Sequence, residues 1–260
     1  ETVLGVGTDT PRAALNKDEI TREISQYWRV SVVEVTESTQ DDITEKIVTG
    51  TATSGEIVVA NYQRAGRGRL QRTFIAPEST ALTFSLYLTP ARNKSEWSFL
   101  PLLAGLAVAQ SLNQFATAEK ITVKWPNDVM IGEKKAGGII AQVSGDGVVV
   151  GIGINVGMNE SELPVETATS LQLNDFLQLN RNQLLSSILN SFEKLFLEWN
   201  AGSSFAAEYS QVSATLGKEV RAELPDGTSL SGKAIDISEN GELILDGDVR
   251  VSVGDIIHLR

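Results

Sequence analysis

Apolar residues recur along the chain with two different periods, which predicts a mixture of helices and strands. Helical spacing, with apolar positions three or four residues apart, covers residues 18–29, 39–49, 95–116, 170–179 and 181–199. Alternating or β-branched runs predict strands over residues 30–35, 56–62, 81–88 and 121–124, and a hairpin of residues 137–143 with 148–156. This order predicts an α+β fold, in which a mixed β-sheet is packed against helices.

The pattern changes near residue 214. From Gly217 onward, short alternating strands are separated by turn sequences that contain Asp226-Gly227, Asn240-Gly241 and Asp246-Gly247. About five strands of this kind predict a small SH3-like β-barrel. We therefore divide the chain into a flexible N-terminal arm, a main domain and a C-terminal module. Their expected bounds are residues 1–17, 18–214 and 215–260.

Composition and charge exclude several classes of protein. The 260-residue chain has a formal net charge of −11, which disfavours non-specific binding to nucleic acid or to an anionic membrane. It contains no cysteine, so disulfides, thiolate metal sites and cysteine nucleophiles are excluded. No apolar run reaches the roughly 20 residues of a membrane span, and the first residues do not resemble a signal peptide. These features predict a cytoplasmic protein without nucleic-acid or membrane partners.

A basic segment, the arginine loop (residues 63–77), interrupts this acidic chain between two predicted strands. It carries four arginines within nine residues and no acidic residue. Planar guanidinium groups bind phosphate or carboxylate oxygens in pairs, and glycines let backbone N–H groups approach an anion. The composition predicts a flexible loop that binds a phosphate or a carboxylate. A solvated basic loop and an Arg-Gly nucleic-acid segment are the alternatives.

Three further segments place polar groups beside glycines or strand ends. Residues 124–128 (Lys-Trp-Pro-Asn-Asp) put an amide and a carboxylate on a turn, and residues 134–140 (Lys-Lys-Ala-Gly-Gly-Ile-Ile) put a lysine beside two glycines. Residues 151–155 (Gly-Ile-Gly-Ile-Asn) place an amide in an apolar strand, where it needs a hydrogen-bonding partner. Taken singly, each segment also has a purely structural interpretation.

Taken together and in order, these segments resemble the successive motifs of the biotin protein ligases. Gly66-Arg67-Gly68-Arg69 and the segments 124–128, 135–140 and 151–155 match those motifs, and Glu37-Ser38-Thr39 stands where the family has Asp/Glu-Ser-Thr. The C-terminal module resembles the family's SH3-like domain. The resemblance implies that the main domain is a catalytic domain.

The resemblance implies a role for each matching residue. The implied biotin-binding residues are Ser38, Thr39, Gln63, Gly66, Arg67, Lys135, Gly138, Ile139, Ile140 and Gly151. The implied ATP- and adenylate-binding residues are Arg67, Arg69, Arg72, Phe74, Asn127, Lys135 and Asn155. Arg67 and Lys135 are the implied catalytic residues, at the biotin carboxylate and the ATP α-phosphate. No protein ligand for a metal is implied, because Mg²⁺ would be bound mainly through the triphosphate.

The implied reaction has two steps. ATP first activates biotin as biotinyl-5′-AMP with release of pyrophosphate, and biotin then passes to a lysine of a biotin carboxyl carrier domain of a carboxylase. No covalent enzyme intermediate is required, which agrees with the absence of cysteine. Members of the family include monomers and dimers, and we favour a monomer.

Several positions depart from the family pattern. Leu70 and Gln71 replace an arginine and a glycine of the loop, and Phe74 stands where a tryptophan is common. We therefore expect loop closure and adenine packing to differ. The single histidine, His258, is expected to be a surface or packing residue rather than a catalytic base.

Two other functions stay open. A lipoate-type ligase of the same fold would also form an acyl adenylate, although its usual Arg-Arg-Ser-Gly-Gly-Gly stretch is absent. A nucleic-acid-binding module would use the arginine loop and the barrel. Residues 217–260 carry five basic and nine acidic residues, which argues against that use.

Overall fold

Two β-sheets organise the chain, in a computed structural model that describes residues 12–69 and 72–259. Leu70, Gln71 and most of the proposed N-terminal arm lie outside the described residues. The larger sheet contains β1 (Arg29–Thr36), β2 (Glu56–Gln63), β5 (Ala81–Leu88), β6 (Ile121–Lys124), β7 (Asp128–Ile131), β8 (Lys134–Ser144) and β9 (Gly147–Asn155). A two-stranded ribbon closes the arginine loop and consists of β3 (Gly66–Arg67) and β4 (Thr73–Phe74).

The larger sheet has the strand order β1-β2-β5-β9-β8-β7-β6. β1 and β2 are parallel, and every other neighbouring pair is antiparallel. β5 and β9 lie near the centre and are buried along their whole length, and their sequences are apolar apart from Thr83, Ser85 and Asn155. The mixed sheet with its packed helices confirms the predicted α+β fold.

Helices cover both faces of this sheet. They are α1 (Lys17–Glu23), α2 (Thr39–Val48), α3 (Leu100–Leu112), α4 (Arg181–Asn200) and α5 (Ala206–Val212). α3 packs against α4, α5 and the strands β6 and β8, and it is buried nearly all round. α2 packs on the opposite face, where Ile43 meets Val58 and Val149 in a separate apolar cluster. The two faces follow from the alternation of side chains along each strand.

The smaller sheet forms the body of the C-terminal module. Its strands are β10 (Glu219–Glu223), β11 (Ser229–Ile237), β12 (Leu243–Leu245), β13 (Val249–Val251) and β14 (Asp255–His258). They are antiparallel in the order β13-β12-β11-β10-β14. Trp125 joins this module to the larger sheet, because its backbone N–H donates to Thr215 Oγ1 at 3.0 Å and its indole N–H donates to the Gly241 carbonyl at 2.8 Å.

The helix predicted over residues 18–29 is too long. α1 ends at Glu23, and β1 already begins at Arg29. Tyr27 and Trp28 lie in the connection, with their ring centroids 4.7 Å apart in an edge-to-face arrangement. Both rings also pack against aromatic side chains of α4. Aromatic packing on α4, rather than a continuing helix, accounts for the apolar spacing there.

The helix predicted over residues 170–179 is wrong. Only a short 3-10 turn occurs there, at Gln172–Asn174. The Ser170 hydroxyl donates to the Met158 carbonyl at 2.7 Å, and the Asn174 amide donates to the Ser170 carbonyl at 2.8 Å. Such bonds from side chain to backbone compete with the helical hydrogen-bond ladder.

The helix predicted over residues 95–116 is shorter than expected. α3 is flanked by 3-10 turns at Lys94–Phe99 and Asn113–Phe115. Pro101 lies in the first turn of α3, where its missing N–H needs no partner. The sequence did not predict α5, β7 or the ribbon β3–β4. Within the part of the chain that the structure describes, no helix has the length and apolar content to cross a bilayer.

Candidate functional site

A cleft of about 490 Å³ lies where the larger sheet meets the C-terminal module. Its walls come from the start of α2, the end of β2, the centres of β5, β8 and β9, and β14. The arginine loop, the turn 125–128 and residues 164–168 complete the rim. Segments far apart in the sequence therefore line one space, with hydroxyl and amide groups at one end and cationic groups at the other.

Hydroxyl and amide groups form the floor of the cleft. Ser38 is the N-cap of α2 and, like Thr39, is almost completely buried. The backbone N–H of Thr39 donates to Gln63 Oε1 at 2.7 Å, which fixes the end of β2 against α2. The Thr39 hydroxyl lies 2.8 Å from the Ser85 hydroxyl on β5. Buried polar groups of this kind are suited to bind a small polar ring.

Glycines on β8 and β9 make the cleft wide enough for a ligand. A Cβ on Gly151 would lie 2.7 Å from Gln40 Oε1, and a Cβ on Gly153 would lie 2.9 Å from the ring of Phe74. Gly138, Ile139 and Ile140 of β8 line the same wall. Because side chains at the two β9 positions would collide with these groups, glycine keeps the wall thin and brings Phe74 over the sheet.

Two ion pairs lie near the sheet, one at the cationic end of the cleft and one beside the floor at the start of α2. Lys135 Nζ lies 2.5 Å from Asp128 Oδ1, and Arg67 Nη2 lies 2.5 Å from Asp41 Oδ1. The side chains of Lys135 and Arg67 are 44% and 51% exposed, so both can exchange partners with an incoming anion.

The arginine loop reaches across to the C-terminal module. Arg72 Nη2 lies 2.5 Å from Asp255 Oδ2 on β14. Arg69 Nη1 contacts three oxygens, those of Asn127 at 3.1 Å, Gly254 at 3.2 Å and Asp255 at 3.4 Å. Asp255 of β14 therefore holds two of the three arginines that the sequence analysis assigned to ATP and the adenylate.

Lys124 lies at the same end of the cleft. Burial lowers the pKa of its ammonium group, Asp128 opposes that effect, and the positive charge of Lys135 adds to it. Several cations within one partly buried region create a field that favours a polyanionic ligand.

The structure brings all but one of the predicted site residues to this cleft. Those that line it are Ser38, Thr39, Gln63, Arg67, Arg69, Arg72, Phe74, Asn127, Lys135, Gly138, Ile139, Ile140, Gly151 and Asn155. Gly66 does not line it. Gly66 pairs with Phe74 in the ribbon β3–β4, where a Cβ would lie 2.5 Å from the Phe74 carbonyl oxygen. Its absent side chain allows that close pairing.

Sequence reasoning missed several polar groups of the cleft or its rim, four of which make contacts described above. Gln40 and Ser85 lie in the floor, while Asp41 and Asp255 pair with arginines. Gln40 could have been suspected because it follows Ser38 and Thr39 at the start of a helix. No local sequence pattern pointed to Asp255, because nearly two hundred residues separate it from the loop that it binds.

His258 does not line the cleft. It lies on β14, with Nδ1 3.3 Å from Lys218 Nζ and Nε2 3.4 Å from Thr215 Oγ1. Burial, together with Lys218 and Lys124, lowers the pKa of His258 to about 4. This position agrees with the expected packing role.

Comparison with protein families matches two parts of the chain. Residues 32–159 match the biotin/lipoate A/B protein ligase family, and residues 215–259 match the biotin protein ligase C terminal domain. A biotin–[acetyl-CoA-carboxylase] ligase from Mycobacterium tuberculosis is 34% identical over 94% of this chain and 94% of that protein. The bifunctional ligase/repressor BirA of Escherichia coli is 28% identical over 100% of this chain and 83% of that protein.

Solved structures give the same result. The biotin protein ligase from Aquifex aeolicus in complex with biotin and ATP superposes with a TM-score of 0.75 at 28% identity. The match covers 89% of this chain and 99% of that one. The apo structure of the same ligase matches with a TM-score of 0.72 at 25% identity, over 89% of this chain and 100% of that one.

Proposed function

The chain belongs to the biotin protein ligase family, and from this premise we propose how its cleft joins biotin to ATP and then to a carrier protein. The reaction is ATP-dependent formation of biotinyl-5′-AMP and pyrophosphate, followed by transfer of biotin to a lysine of a carboxylase carrier protein. The observation that supports this assignment is the division of one cleft into a hydroxyl and amide floor, a thin glycine-rich wall and a cationic end.

Biotin enters with its ureido ring toward the floor. Ser38, Thr39 and Gln63 supply hydroxyl and amide groups there, and the apolar wall of β8 covers the fused rings. In this orientation the valerate chain runs toward Lys135 at the opposite end, and Arg67 lies beside the start of α2 through its pair with Asp41.

Arg67 and Lys135 act on the adenylation step. A carboxylate oxygen of biotin attacks the α-phosphorus of ATP, and the bond to pyrophosphate breaks. Because both reactants are anions, the two cations first reduce their repulsion and then stabilise the charge that develops on the phosphate oxygens. The carboxylates of Asp41 and Asp128 hold these cations at the rim until the ligands replace them.

Mg²⁺ supplies charge neutralisation on the triphosphate when it is bound. Among the described residues, no group of three or more metal-ligating side chains is present. We therefore assign the ion to the phosphate oxygens, and not to a cage of protein ligands.

Arg69, Arg72, Phe74, Asn127 and Asn155 hold the adenylate. In the second step the lysine amine of the carrier attacks the acyl carbon, AMP leaves with the bonding electron pair, and the nitrogen loses a proton. Water would destroy the mixed anhydride, so a loop that closes over it protects the intermediate. The position of the arginine loop across the cleft supports this role.

Pyrophosphate release from ATP and Mg²⁺ tests this function, with biotin or lipoate as the only acid and no carrier protein. We expect a biotin-dependent burst of about one equivalent per chain, because the adenylate stays bound. Release that depends on lipoate would assign the lipoate-type activity instead. A folded sample that releases pyrophosphate with neither acid would contradict the enzymatic function.

We also propose three properties of the whole protein. The catalytic domain spans residues 18–214 and the C-terminal module residues 215–260, which the family match at residues 215–259 supports. The protein is a monomer and acts in the cytoplasm, where its substrate ATP is available. It does not bind nucleic acid, because its net charge is −11. Sedimentation and heparin chromatography at moderate salt test the last two properties.

A further inference from the structure

A chain of buried hydrogen bonds runs beneath the floor of the cleft. Thr39, Gln40 and Ser85 take part, and each is at most 2% exposed. The chain ends at the backbone carbonyl of Val149 on β9. Because so little of each group is exposed, each of these protons is expected to point toward a hydrogen-bonding partner within the protein.

The Val149 carbonyl fixes the direction of the hydrogen bonds in this buried series. Gln40 Nε2 lies 3.3 Å from this oxygen, which can only accept a hydrogen bond. The amide oxygen of Gln40 must therefore face the other way, toward Ser85, because the reverse orientation would bring two oxygens together. Ser85 Oγ lies 3.0 Å from Gln40 Oε1 and must donate to it.

The direction of these hydrogen bonds determines whether the Thr39 hydroxyl acts as a donor or as an acceptor toward the cleft. Ser85 has a single hydroxyl proton, which it uses in the hydrogen bond that it donates to Gln40. The contact of 2.8 Å between the hydroxyls of Thr39 and Ser85 is then satisfied only if Thr39 donates to Ser85. With its proton directed away from the cleft, Thr39 Oγ1 presents lone pairs to the ligand. Thr39 is thus a hydrogen-bond acceptor in the floor.

The neighbours of Thr39 present the opposite polarity. Gln63 Oε1 accepts from the backbone N–H of Thr39 at 2.7 Å, which leaves the amide N–H groups of Gln63 as donors. Ser38 Oγ accepts from the backbone N–H of Gln40 at 3.3 Å, so the Ser38 hydroxyl proton remains for the ligand. The floor combines one acceptor with two donors.

We propose that Gln40 and Ser85 are positioning residues that hold Thr39 as an acceptor, and that this polarity selects a cyclic urea. The inference rests on the proposed function and names a basis for its choice of acid. A ureido ring presents N–H donors beside a carbonyl acceptor, which matches the floor. The dithiolane ring of lipoate has no N–H, so the acceptor of Thr39 would stay buried without a partner.

The test compares binding of biotin with binding of its two lactam isomers, in each of which a different ring N–H is replaced by CH₂. Titration calorimetry on the full chain measures the Kd of each compound. Wild-type protein should bind the isomer that lacks the N–H facing Thr39 at least about tenfold more weakly than biotin, because an unpaired buried acceptor is costly. ATP binding serves as an internal reference.

Ser85→Ala and Gln40→Met remove the fixed polarity in two different ways. Each should raise the Kd for biotin about tenfold and leave the Kd for the weaker isomer nearly unchanged, so the discrimination decreases. The Kd for ATP should not change. Ser111→Ala is the matched control, because Ser111 is also a buried serine and donates to a backbone carbonyl within α3.

The possible results separate this inference from the proposed function. An equal loss of affinity for biotin and both isomers in a folded variant would assign Gln40 and Ser85 a general packing role. That result would overturn the inference that they hold Thr39 as an acceptor. Unchanged biotin affinity in both variants would also overturn it. A folded wild-type protein that binds no biotin would instead overturn the proposed function, and with it the inference about Thr39. If one variant does not fold, the other carries the same comparison.

Discussion

Charged side chains at the cleft form ion pairs. Arg67 pairs with Asp41, and Lys135 pairs with Asp128. Asp255 pairs with both Arg69 and Arg72. In a protein of net charge −11, these carboxylates neutralise a local excess of positive charge. A phosphate group must compete with them, and its greater charge and three acceptor oxygens favour it.

Lys135→Ala tests the assignment of the adenylation step. We expect a loss of about a hundred- to a thousandfold in the rate of biotin-dependent pyrophosphate release, because a fixed cation at the developing charge is removed. Lys134→Ala is the control, since Lys134 is the exposed neighbour on β8 and does not line the cleft. A near-normal rate in folded Lys135→Ala protein would remove Lys135 from the mechanism.

The strand pair β8–β9 depends on two adjacent glycines that have different roles. A Cβ on Gly137 would lie 2.3 Å from the Gly153 carbonyl oxygen, which is backbone and cannot move without disturbing the sheet. A Cβ on Gly138 would meet nothing closer than the Lys135 side chain, at 3.6 Å. The first glycine is required for strand packing, whereas the second borders the cleft.

Gly137→Ala should therefore reduce the free energy of unfolding, by about 1–3 kcal/mol, because the added methyl group overpacks the strand pair. Gly138→Ala should change it by less than about 0.5 kcal/mol. Urea denaturation of both variants measures the difference. Equal stabilities would mean that β9 adjusts to the added methyl group and that the close contact has little energetic importance.

β14 carries a titratable group whose ionisation opposes folding. The pKa of His258 is about 4 in the folded protein, below the ordinary value of 6.5. Between pH 6.5 and 4 the unfolded chain gains a proton that the folded chain does not, so the stabilising effect is complete above pH 6.5 and decreases as the pH falls.

His258→Asn removes this titration. The free energy of unfolding of the wild type minus that of the variant should decrease as the pH is lowered from 7.5 to 4.5. Carboxylates common to both proteins cancel in this difference, which parallel urea titrations measure. A difference that stays constant across this range would show that His258 is not held in the neutral form.

At the scale of the whole molecule, the C-terminal module is joined to the cleft at two places. Trp125 binds the module beside the turn that carries Asn127. Asp255 binds two of the four arginines of the loop, Arg69 and Arg72. Because both the turn and the loop contribute to the end of the cleft that we assign to the nucleotide, the module fixes the geometry of that end as well as completing its wall.

Asp255→Asn should loosen the arginine loop without unfolding the sheets. Limited trypsin digestion after Arg69 and Arg72 should become about fivefold faster, because partly exposed ion pairs of this kind contribute about 1 kcal/mol. Asp248→Asn is the matched control, since Asp248 is 79% exposed on the same module and, among the described residues, pairs with Arg250 alone. Equal cleavage rates in the two variants would contradict the role of Asp255.

The sequence by itself determined those strands whose apolar and turn residues form a pattern over a few consecutive positions. The bounds of β5 and β6 and the five strands of the module follow from alternation and turn residues over a few positions. Nearly every site residue assigned from the motif segments lies at the cleft, because the glycines, arginines and amides of these segments make unusual local patterns. The helix predicted over residues 170–179 failed because hydrogen bonds to Met158, outside the segment, replaced the helical ladder.

Only the tertiary structure decided which groups meet across the fold. The pairing of Asp255 with Arg72 joins residues 183 positions apart, and no local pattern encodes such a contact. The polarity of Thr39 likewise depends on Ser85 and on the Val149 carbonyl, which belong to two other strands. Periodicity records which face of an element is buried, whereas hydrogen-bond direction and ion pairing depend on atoms brought together by the packing of distant segments.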